Sequence, residues 1–198
     1  LELGYRHRFG QSLSLDATAF VHRYRDGLVV TPRAVDLTTL PLYVTQPIAT
    51  TNGQRTTISG MELSLIAQIL PSWRLLPSYT WMHANSRGLG DPVSEASAAN
   101  DEKKVPHHMV SLRSQHNLGQ AQQLDFWLKY KSRNEALGIP DRANLDVRYA
   151  WRANRSTELS VVGQSLLHKH AVEYLSDQLP SVPVEVGRSA YLRVDYRF

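Results

Sequence analysis

Histidine is the side chain with the strongest metal-binding chemistry in this sequence, which contains eight histidines and no cysteine. Two groups stand out, His107-His108 and His168-Lys169-His170. Neighbouring residues of a strand point to opposite faces, which separates His107 from His108, whereas His168 and His170 share a face of an extended segment. Neither group has the carboxylate or thiolate framework of a transition-metal site. We therefore predict no metal site and no cofactor.

Catalytic motifs are equally hard to find. Serine, histidine and acidic residues occur throughout the chain without the spacing that is typical of nucleophilic catalysis. The 11 glycines stand apart, and Gly88-Leu89-Gly90-Asp91 lacks the following Lys-Ser/Thr of a phosphate-binding loop. We interpret that segment as a flexible loop. The sequence predicts a protein that is not an enzyme.

The composition disfavours several classes of protein. Of the 198 residues, 42% are hydrophobic and 20% are charged, and no run approaches the roughly 18 apolar residues of a membrane-spanning helix. The formal net charge is +4, but the basic residues are scattered singly, so nucleic-acid binding is not predicted. Residues 1–9 lack the features of a signal peptide. An exported protein that begins here is expected to have lost its start.

Alternation of apolar and polar residues is the dominant pattern, and its period of two is typical of β-strands. This alternation, or a segment length close to that of a spanning strand, predicts nine strands. Each is about 10 residues long, which is the length at which a tilted strand crosses a bilayer. They lie at about residues 2–9, 13–22, 61–69, 73–84, 106–116, 124–130, 145–152, 157–167 and 190–198. In the last of these, one face would carry Ala190, Leu192, Val194, Tyr196 and Phe198, and the other Tyr191, Arg193, Asp195 and Arg197.

The connections between these strands alternate in length. Short turns are predicted near residues 10–12, 70–72, 117–120 and 153–155, and long segments at 25–52, 85–104, 132–142 and 168–186. Outer-membrane barrels have short periplasmic turns and long extracellular loops, so the chain is expected to start outside and its last strand to run inward. Because single-chain bacterial barrels have an even number of strands, nine strands indicate part of a larger barrel.

Aromatic residues fit a membrane barrel, because Trp and Tyr collect where lipid meets water. Those near the short turns or the inner terminus are Phe9, Trp73, Trp151, Tyr196 and Phe198. Those nearer the other end are Tyr24, Trp81 and Tyr130. A soluble β-sandwich with these aromatic residues in its core is the alternative interpretation.

Six segments carry a resemblance to a known family: LELGYR at 1–6, LSLDATAF at 13–20, SGMELSL at 59–65, WRLLPSYTW at 73–81, PHHMVSLR at 106–113 and VGQSLL at 162–167. In order and spacing they resemble the C-terminal part of TonB-dependent outer-membrane receptors. The resemblance implies an all-β, antiparallel transmembrane β-barrel, of which residues 1–198 would form about nine C-terminal strands. A complete barrel of the family would have about 22 strands. The plug domain and the N-terminal strands would be absent from this chain.

The resemblance also implies a function. The intact protein would lie in the bacterial outer membrane and take up a scarce ligand in an energy-dependent way. A ferric siderophore is the expected ligand, and haem and cobalamin are alternatives. The intact receptor would contact the TonB-type energy-coupling protein only through parts that are absent from this chain. These are the plug domain and the box, a short N-terminal segment that binds the coupling protein. A porin-like or small structural barrel is the second interpretation of the function.

Ligand contacts implied by the resemblance would lie in the long loops. Within residues 25–52, the candidates are Arg33, Tyr43 and Gln46, because Arg and Tyr suit an anionic, aromatic chelate.

The C-terminal residues resemble the signature that the barrel-assembly machinery recognises, so that machinery and the lipid bilayer are expected partners. The signature residues are Leu192, Val194, Tyr196 and Phe198. Charged residues on the opposite face of the strands are predicted to pair across the sheet. They are Arg193, Asp195 and Arg197, with Asp146, Arg148 and Arg152 on an earlier strand.

Overall fold

The structure is a computed structural model that describes residues 1–38, 41–176 and 182–198. Within these ranges it contains eleven β-strands and one α-helix. Their bounds are Glu2–Phe9 (β1), Leu13–Pro32 (β2), Ile48–Leu70 (β3), Trp73–Gly88 (β4), Pro92–Lys104 (α1), His108–Leu118 (β5), Gln122–Lys131 (β6), Arg142–Arg152 (β7), Thr157–Gln164 (β8), His170–Tyr174 (β9), Val184–Gly187 (β10) and Ser189–Tyr196 (β11).

Nine of the described strands form one open antiparallel sheet. Its order is β1-β2-β3-β4-β5-β6-β7-β8-β11, so each strand pairs with the next along the chain until β8, which pairs with β11. This confirms the predicted all-β fold and the predicted nine strands for this sheet. Among the described residues, the second sheet is the two-stranded β9–β10 pair. The β-sandwich alternative is therefore wrong, because no sheet of matching size packs on the first in the described part of the chain.

The register gives the sheet two chemically distinct faces, since directly paired residues of antiparallel strands point to the same side. On one side, Leu124 pairs with Tyr149 and Leu128 with Leu145. We call this the apolar face, and the opposite side, where Asp125 pairs with Arg148, the polar face. The apolar face stays open: Leu192 on β11 is 79% exposed.

The connections divide the sheet into two ends. At one end, which we call the short-turn end, brief turns join β1 to β2, β3 to β4, β5 to β6 and β7 to β8, as predicted. The other end, the long-loop end, differs from the prediction for residues 25–52. There β2 and β3 continue their pairing as far as Pro32 and Ile48, past an irregularity where Asp26 has a φ of 59°. Only residues 33–47 connect them, so the predicted long loop is wrong at both its ends.

Two further segments that were predicted as long loops contain regular secondary structure. Residues 85–104 contain the end of β4 and the helix α1, and Gly88 belongs to β4 rather than to a flexible loop. Residues 168–186 contain β9 and most of β10, which pair with each other.

Buried hydrophobic residues are few and mostly small, as expected for a sheet that meets its surroundings on both faces. They are Val29, Ala84, Ala98, Ala150 and Val162. Across the described parts of the chain, no helix has the length and hydrophobicity needed to cross a membrane.

Candidate functional site

The helix α1 begins at a well-formed cap. The side chain of Asp91 accepts hydrogen bonds from the backbone N–H groups of Val93 and Ser94, each at 3.0 Å, and from the Ser94 hydroxyl at 2.6 Å. Pro92 occupies the first turn, where the missing N–H costs nothing. The hydrogen bonds from Ser94, first from its side chain and then from its backbone, hold the pKa of Asp91 below its ordinary value.

The helix packs on the polar face at the long-loop end. On β4, Ala84, Ser86 and Gly88 are buried, whereas the residues between them are exposed on the apolar face. A Cβ atom at Gly53 would lie 2.6 Å from the Ser94 hydroxyl, and one at Gly88 would overlap the backbone of Glu95. Both positions therefore require glycine for this close approach.

A polar network fixes α1 to the sheet. The Gln54 amide donates to the Asp101 carboxylate at 2.9 Å and to the Thr56 hydroxyl at 3.2 Å. The backbone N–H of Ser86 donates to the Glu102 carboxylate at 2.6 Å. The oxygen Oε1 of Gln54 is buried with no hydrogen-bond partner within the described part of the chain.

The C-terminal end of α1 also contacts the connection between β6 and β7. The Lys103 carbonyl accepts from the backbone N–H groups of Glu135 at 3.0 Å and Ala136 at 3.3 Å. The Asn134 amide donates to the Lys104 carbonyl at 3.0 Å. The helix thus joins β2, β3 and β4 to a second loop and forms a wall on the polar face.

The predicted ligand residues lie together beyond β2 and β3. The Gln46 amide donates to the Arg33 carbonyl at 3.0 Å, and the Arg33 N–H donates to the Pro47 carbonyl at 2.8 Å. Arg33 is exposed, and its guanidinium contacts no carboxylate among the described residues. Tyr43 is 59% exposed. The structure places these three residues in one connection, and their role in ligand binding stays a prediction.

A ladder of charges crosses the polar face towards the short-turn end. Asp125 lies 3.2 Å from the Arg113 guanidinium and 3.5 Å from that of Arg148. Arg148 also contacts Glu158 at 2.5 Å. On β11, Arg193 contacts Asp195 at 2.6 Å. Opposite charges on neighbouring strands stabilise the sheet in this arrangement.

The ladder confirms part of the predicted pairing across strands. Arg148 contacts Asp125 and Glu158 on the two neighbouring strands, and Asp146 accepts from Lys129 at 2.6 Å. Arg193 and Asp195 differ from the prediction, because they contact each other within β11. Arg152 and Arg197 differ from the prediction, because neither has a carboxylate within 4.0 Å among the described residues. The groove above the ladder has a volume of about 580 Å³. Its wall includes Arg113, Asp125, Arg148, Glu158, Arg193 and Asp195.

The predicted assembly signature lies on or just beyond the edge strand β11. Its four residues are exposed by at least 60%: Leu192, Val194, Tyr196 and Phe198. Leu192 pairs with Val161 and Val194 with Leu159, on the apolar face. The rings of Tyr196 and Phe198 meet edge to face, with 5.2 Å between centroids.

The histidines of the two groups each contact a different residue. His168 lies 2.9 Å from the Ala143 carbonyl, whereas His170 faces Glu185 at 3.7 Å. His107 stacks on His83, and His108 bonds the Tyr79 hydroxyl at 2.8 Å. Over the described residues, no three histidine or acidic side chains converge in a geometry suited to a metal ion.

Sequence comparison identifies the family. Residues 1–195 match the family described as TonB dependent receptor-like, beta-barrel. The chain belongs to this family. A search of curated proteins finds no match. The match agrees with the two-faced sheet, the alternating connections and the order of the six sequence segments described above.

Solved structures of several receptors and transporters show the same fold. The siderophore receptor PiuA from Acinetobacter baumannii superposes with a TM-score of 0.71 at 19% identity, over 98% of this chain and 28% of that one. The ferric yersiniabactin uptake receptor FyuA from Yersinia pestis gives 0.70 at 16% identity, over 100% and 29%. The copper transporter OprC gives 0.68 at 15%, over 100% and 31%. The chain thus spans less than a third of the length of these receptors.

Proposed function

We propose that this chain forms the C-terminal part of the barrel wall of an outer-membrane receptor that takes up a scarce ligand with energy from a TonB-type coupling protein. The observation that carries the proposal is the family match over residues 1–195. The open, exposed apolar face supports the same conclusion. A bilayer would cover that face, and strands outside the chain would pair the free edges of β1 and β11, since backbone groups in hydrocarbon need internal partners.

Ligand binding is proposed at the long-loop end. The connection 33–47 and the wall made by α1 would border the mouth of the barrel. Arg33 would present a guanidinium there that has no carboxylate partner among the described residues. A planar, permanently charged guanidinium suits the oxygen atoms of an anionic chelate. A ferric siderophore is the preferred ligand, with haem and cobalamin as alternatives. Of the compared structures, one is named a siderophore receptor, one a ferric yersiniabactin uptake receptor and one a copper transporter.

The polar face at the short-turn end would face the plug domain of the intact receptor. The ladder through Asp125, Arg148 and Glu158 gives this surface fixed charges of both signs, which suits a polar and reversible contact. Movement of the plug by the coupling protein would then open a path for the ligand along the polar face. The C-terminal residues Leu192, Val194, Tyr196 and Phe198 are proposed to contact the assembly machinery while their strand is an open edge.

The test is ligand uptake by cells that carry the receptor containing this chain. We expect accumulation of a ferric siderophore labelled with radioactive iron to require both the receptor and the coupling protein. Arg33→Gln and Tyr43→Phe should lower uptake about tenfold together, as expected for two lost polar contacts. Arg133→Gln is the matched control, because Arg133 is an exposed loop arginine that forms no ion pair with the described residues.

A porin-like barrel is the alternative, and the same assay distinguishes it. Diffusion through a porin would continue in cells that lack the coupling protein and would rise linearly with external ligand. Uptake of that kind would contradict the proposal. The family match supports the receptor over the porin.

A further inference from the structure

Three arginines cluster on the apolar face at the long-loop end. Arg55 on β3 and Arg87 on β4 are directly paired in the antiparallel register. Arg23 on β2 pairs with Thr57, which itself pairs with Asn85, so Arg23 lies on the same face, one pair of positions nearer the short-turn end. All three arginines are exposed. We call Arg23, Arg55 and Arg87 the outer arginine cluster.

The cluster lacks compensating charge. Like charges placed directly opposite on neighbouring strands repel each other. Among the described residues, no carboxylate lies within 4.0 Å of any of the three guanidinium groups, and Asp26 on the same strand as Arg23 forms no ion pair with it. The carboxylates of α1, Asp101 and Glu102 included, lie on the polar face, on the other side of the sheet.

Arginines of the polar face are arranged differently. Five of them each contact a carboxylate: Arg6, Arg113, Arg142, Arg148 and Arg193. The chain therefore neutralises these five arginines itself, whereas the outer arginine cluster has no carboxylate partner in the part of the chain that the structure describes. A negatively charged group from outside the chain would remove the repulsion between Arg55 and Arg87.

The height of the cluster indicates which group this is. Trp73 and Trp81 lie on the apolar face, eight residues apart on β4. Because Trp collects where lipid meets water, these two residues would mark the boundaries of the lipid-covered band in the proposed membrane location. A strand rises about 3.3 Å per residue and is tilted by roughly 40° from the barrel axis. Measured along that axis from Trp81 towards the long-loop end, Arg87 lies roughly 15 Å away and Arg23 roughly 10 Å away. The polar zone of a phospholipid leaflet is only about 5 to 7 Å thick. The cluster thus lies at the level of phosphates carried on sugars above the hydrocarbon.

We propose that the outer arginine cluster binds the phosphate groups of a phosphorylated glycolipid in the outer leaflet. Arg55 and Arg87 would hold one phosphate between them through paired N–H donors, the geometry in which guanidinium groups bind phosphate most strongly. Arg23 would contact the same molecule closer to the hydrocarbon. This inference rests on the proposed location of the receptor in the outer membrane.

The experiment uses the receptor that contains this chain, purified in detergent, with rough-form lipopolysaccharide as the probe. Binding is measured by native mass spectrometry over a concentration series. Arg55→Gln with Arg87→Gln should lower the affinity about tenfold, and adding Arg23→Gln should lower it further, because each change removes charge-assisted hydrogen bonds. The matched control, Arg133→Gln with Arg188→Gln, removes two exposed arginines of the same end outside the cluster and should leave binding unchanged.

Three comparisons distinguish the source of the phosphate. Probe treated with phosphatase should bind the native receptor as weakly as untreated probe binds the double variant. Phosphatidylglycerol vesicles should bind the native receptor and the double variant alike. Competition by inorganic phosphate as effective as that by the glycolipid would overturn the proposal, as would an equal loss of binding in the control.

The folding of each variant and the membrane location of the native receptor are measured in separate experiments. Heat-modifiable gel mobility reports whether each variant forms a closed barrel, and Arg55→Lys with Arg87→Lys keeps the charge while removing the paired donors. We expect this lysine variant to fold and to bind with an intermediate affinity. Full affinity in the lysine variant would overturn the paired geometry. Membrane fractionation of the native receptor tests the proposed location. If the receptor is found in the outer membrane and the double variant still binds the glycolipid, the glycolipid proposal is contradicted and the proposed function is not.

Discussion

The polar face of the sheet is covered by the chain at one end and open at the other. At the long-loop end the chain covers this face itself, with α1 packed through Gly53, Gly88 and Ser94. Towards the short-turn end the face is an open groove whose charges are paired by Asp125 and Arg148. Small residues and glycine permit a helix to approach, whereas long charged side chains exclude it. Side-chain size on the polar face therefore decides where the chain can cover its own sheet.

The largest expected effect concerns the long-loop end, where a side chain added at Gly88 should disrupt the packing of α1 on the polar face. We expect Gly88→Val to destabilise the docking of α1 by about 3 kcal/mol, because the new atoms would overlap the backbone at Glu95 and the well-packed helix must move. Limited proteolysis of the receptor should then cut within residues 92–104. Gly4→Ala is the control, since a Cβ there meets only the Thr18 hydroxyl at 3.9 Å. An uncut helix in Gly88→Val would show that the approach tolerates a larger residue.

The open end should respond to loss of its central cation. Arg148→Gln leaves Glu158 without its partner and Asp125 with Arg113 alone, so we expect a loss of about 2 kcal/mol in the free energy of unfolding. Chemical denaturation of the receptor in detergent measures it. Arg152→Gln removes the same charge from a side chain with no carboxylate partner in the described structure, and we expect no measurable change. Equal effects would mean that net charge, rather than pairing, matters here.

The smallest expected effect concerns the cap of α1. Asp91→Ala should weaken the docked helix by about 1 kcal/mol. Because the pKa of Asp91 is lowered in the folded chain, the carboxylate stabilises α1 above the ordinary Asp range, and this stabilisation is lost as the pH falls through the folded pKa.

Protection of α1 from an acid-active protease, measured over a pH series, checks this prediction. Asp91→Asn keeps an acceptor for the N–H groups of Val93 and Ser94 but cannot be protonated, so its protection should lack the acidic transition. An identical transition in the Asn variant would assign the pH dependence to another group.

Much of the strand arrangement could be predicted because its signal is local. In β11 the alternation of Leu192 and Val194 with Arg193 and Asp195 appears directly in the sequence, and the two faces follow from the geometry of a strand. The turns near residues 10–12 and 70–72 follow from the places where alternation stops.

The helix α1 could not be predicted from hydrophobic periodicity, because its buried positions are Ser94 and Ala98 rather than large apolar residues. A weaker signal was present, in Asp91-Pro92 at its start and Lys103-Lys104 at its end. The extension of β2 was hidden for a related reason, since Asp26-Gly27 suggests a turn but forms an irregularity within a continuing ladder.

The candidate site depends on register, which the sequence does not contain. Arg113, Asp125, Arg148 and Glu158 are separated by up to 45 positions, and only the pairing of β5 through β8 brings them into one row. The same holds for Arg55 and Arg87. Residues within one connection, such as Arg33 and Gln46, could be grouped from sequence, although their ligand could not be identified.

The two glycines beneath α1 set a condition for exchanging loops between receptors. Gly53 and Gly88 lie on different strands, outside the segment that an engineer would transplant to move the helix. A graft of residues 89–105 onto another barrel wall would therefore carry the helix but leave behind the space that receives it. Such a chimera needs both glycines installed in the recipient strands before the transplanted helix can dock.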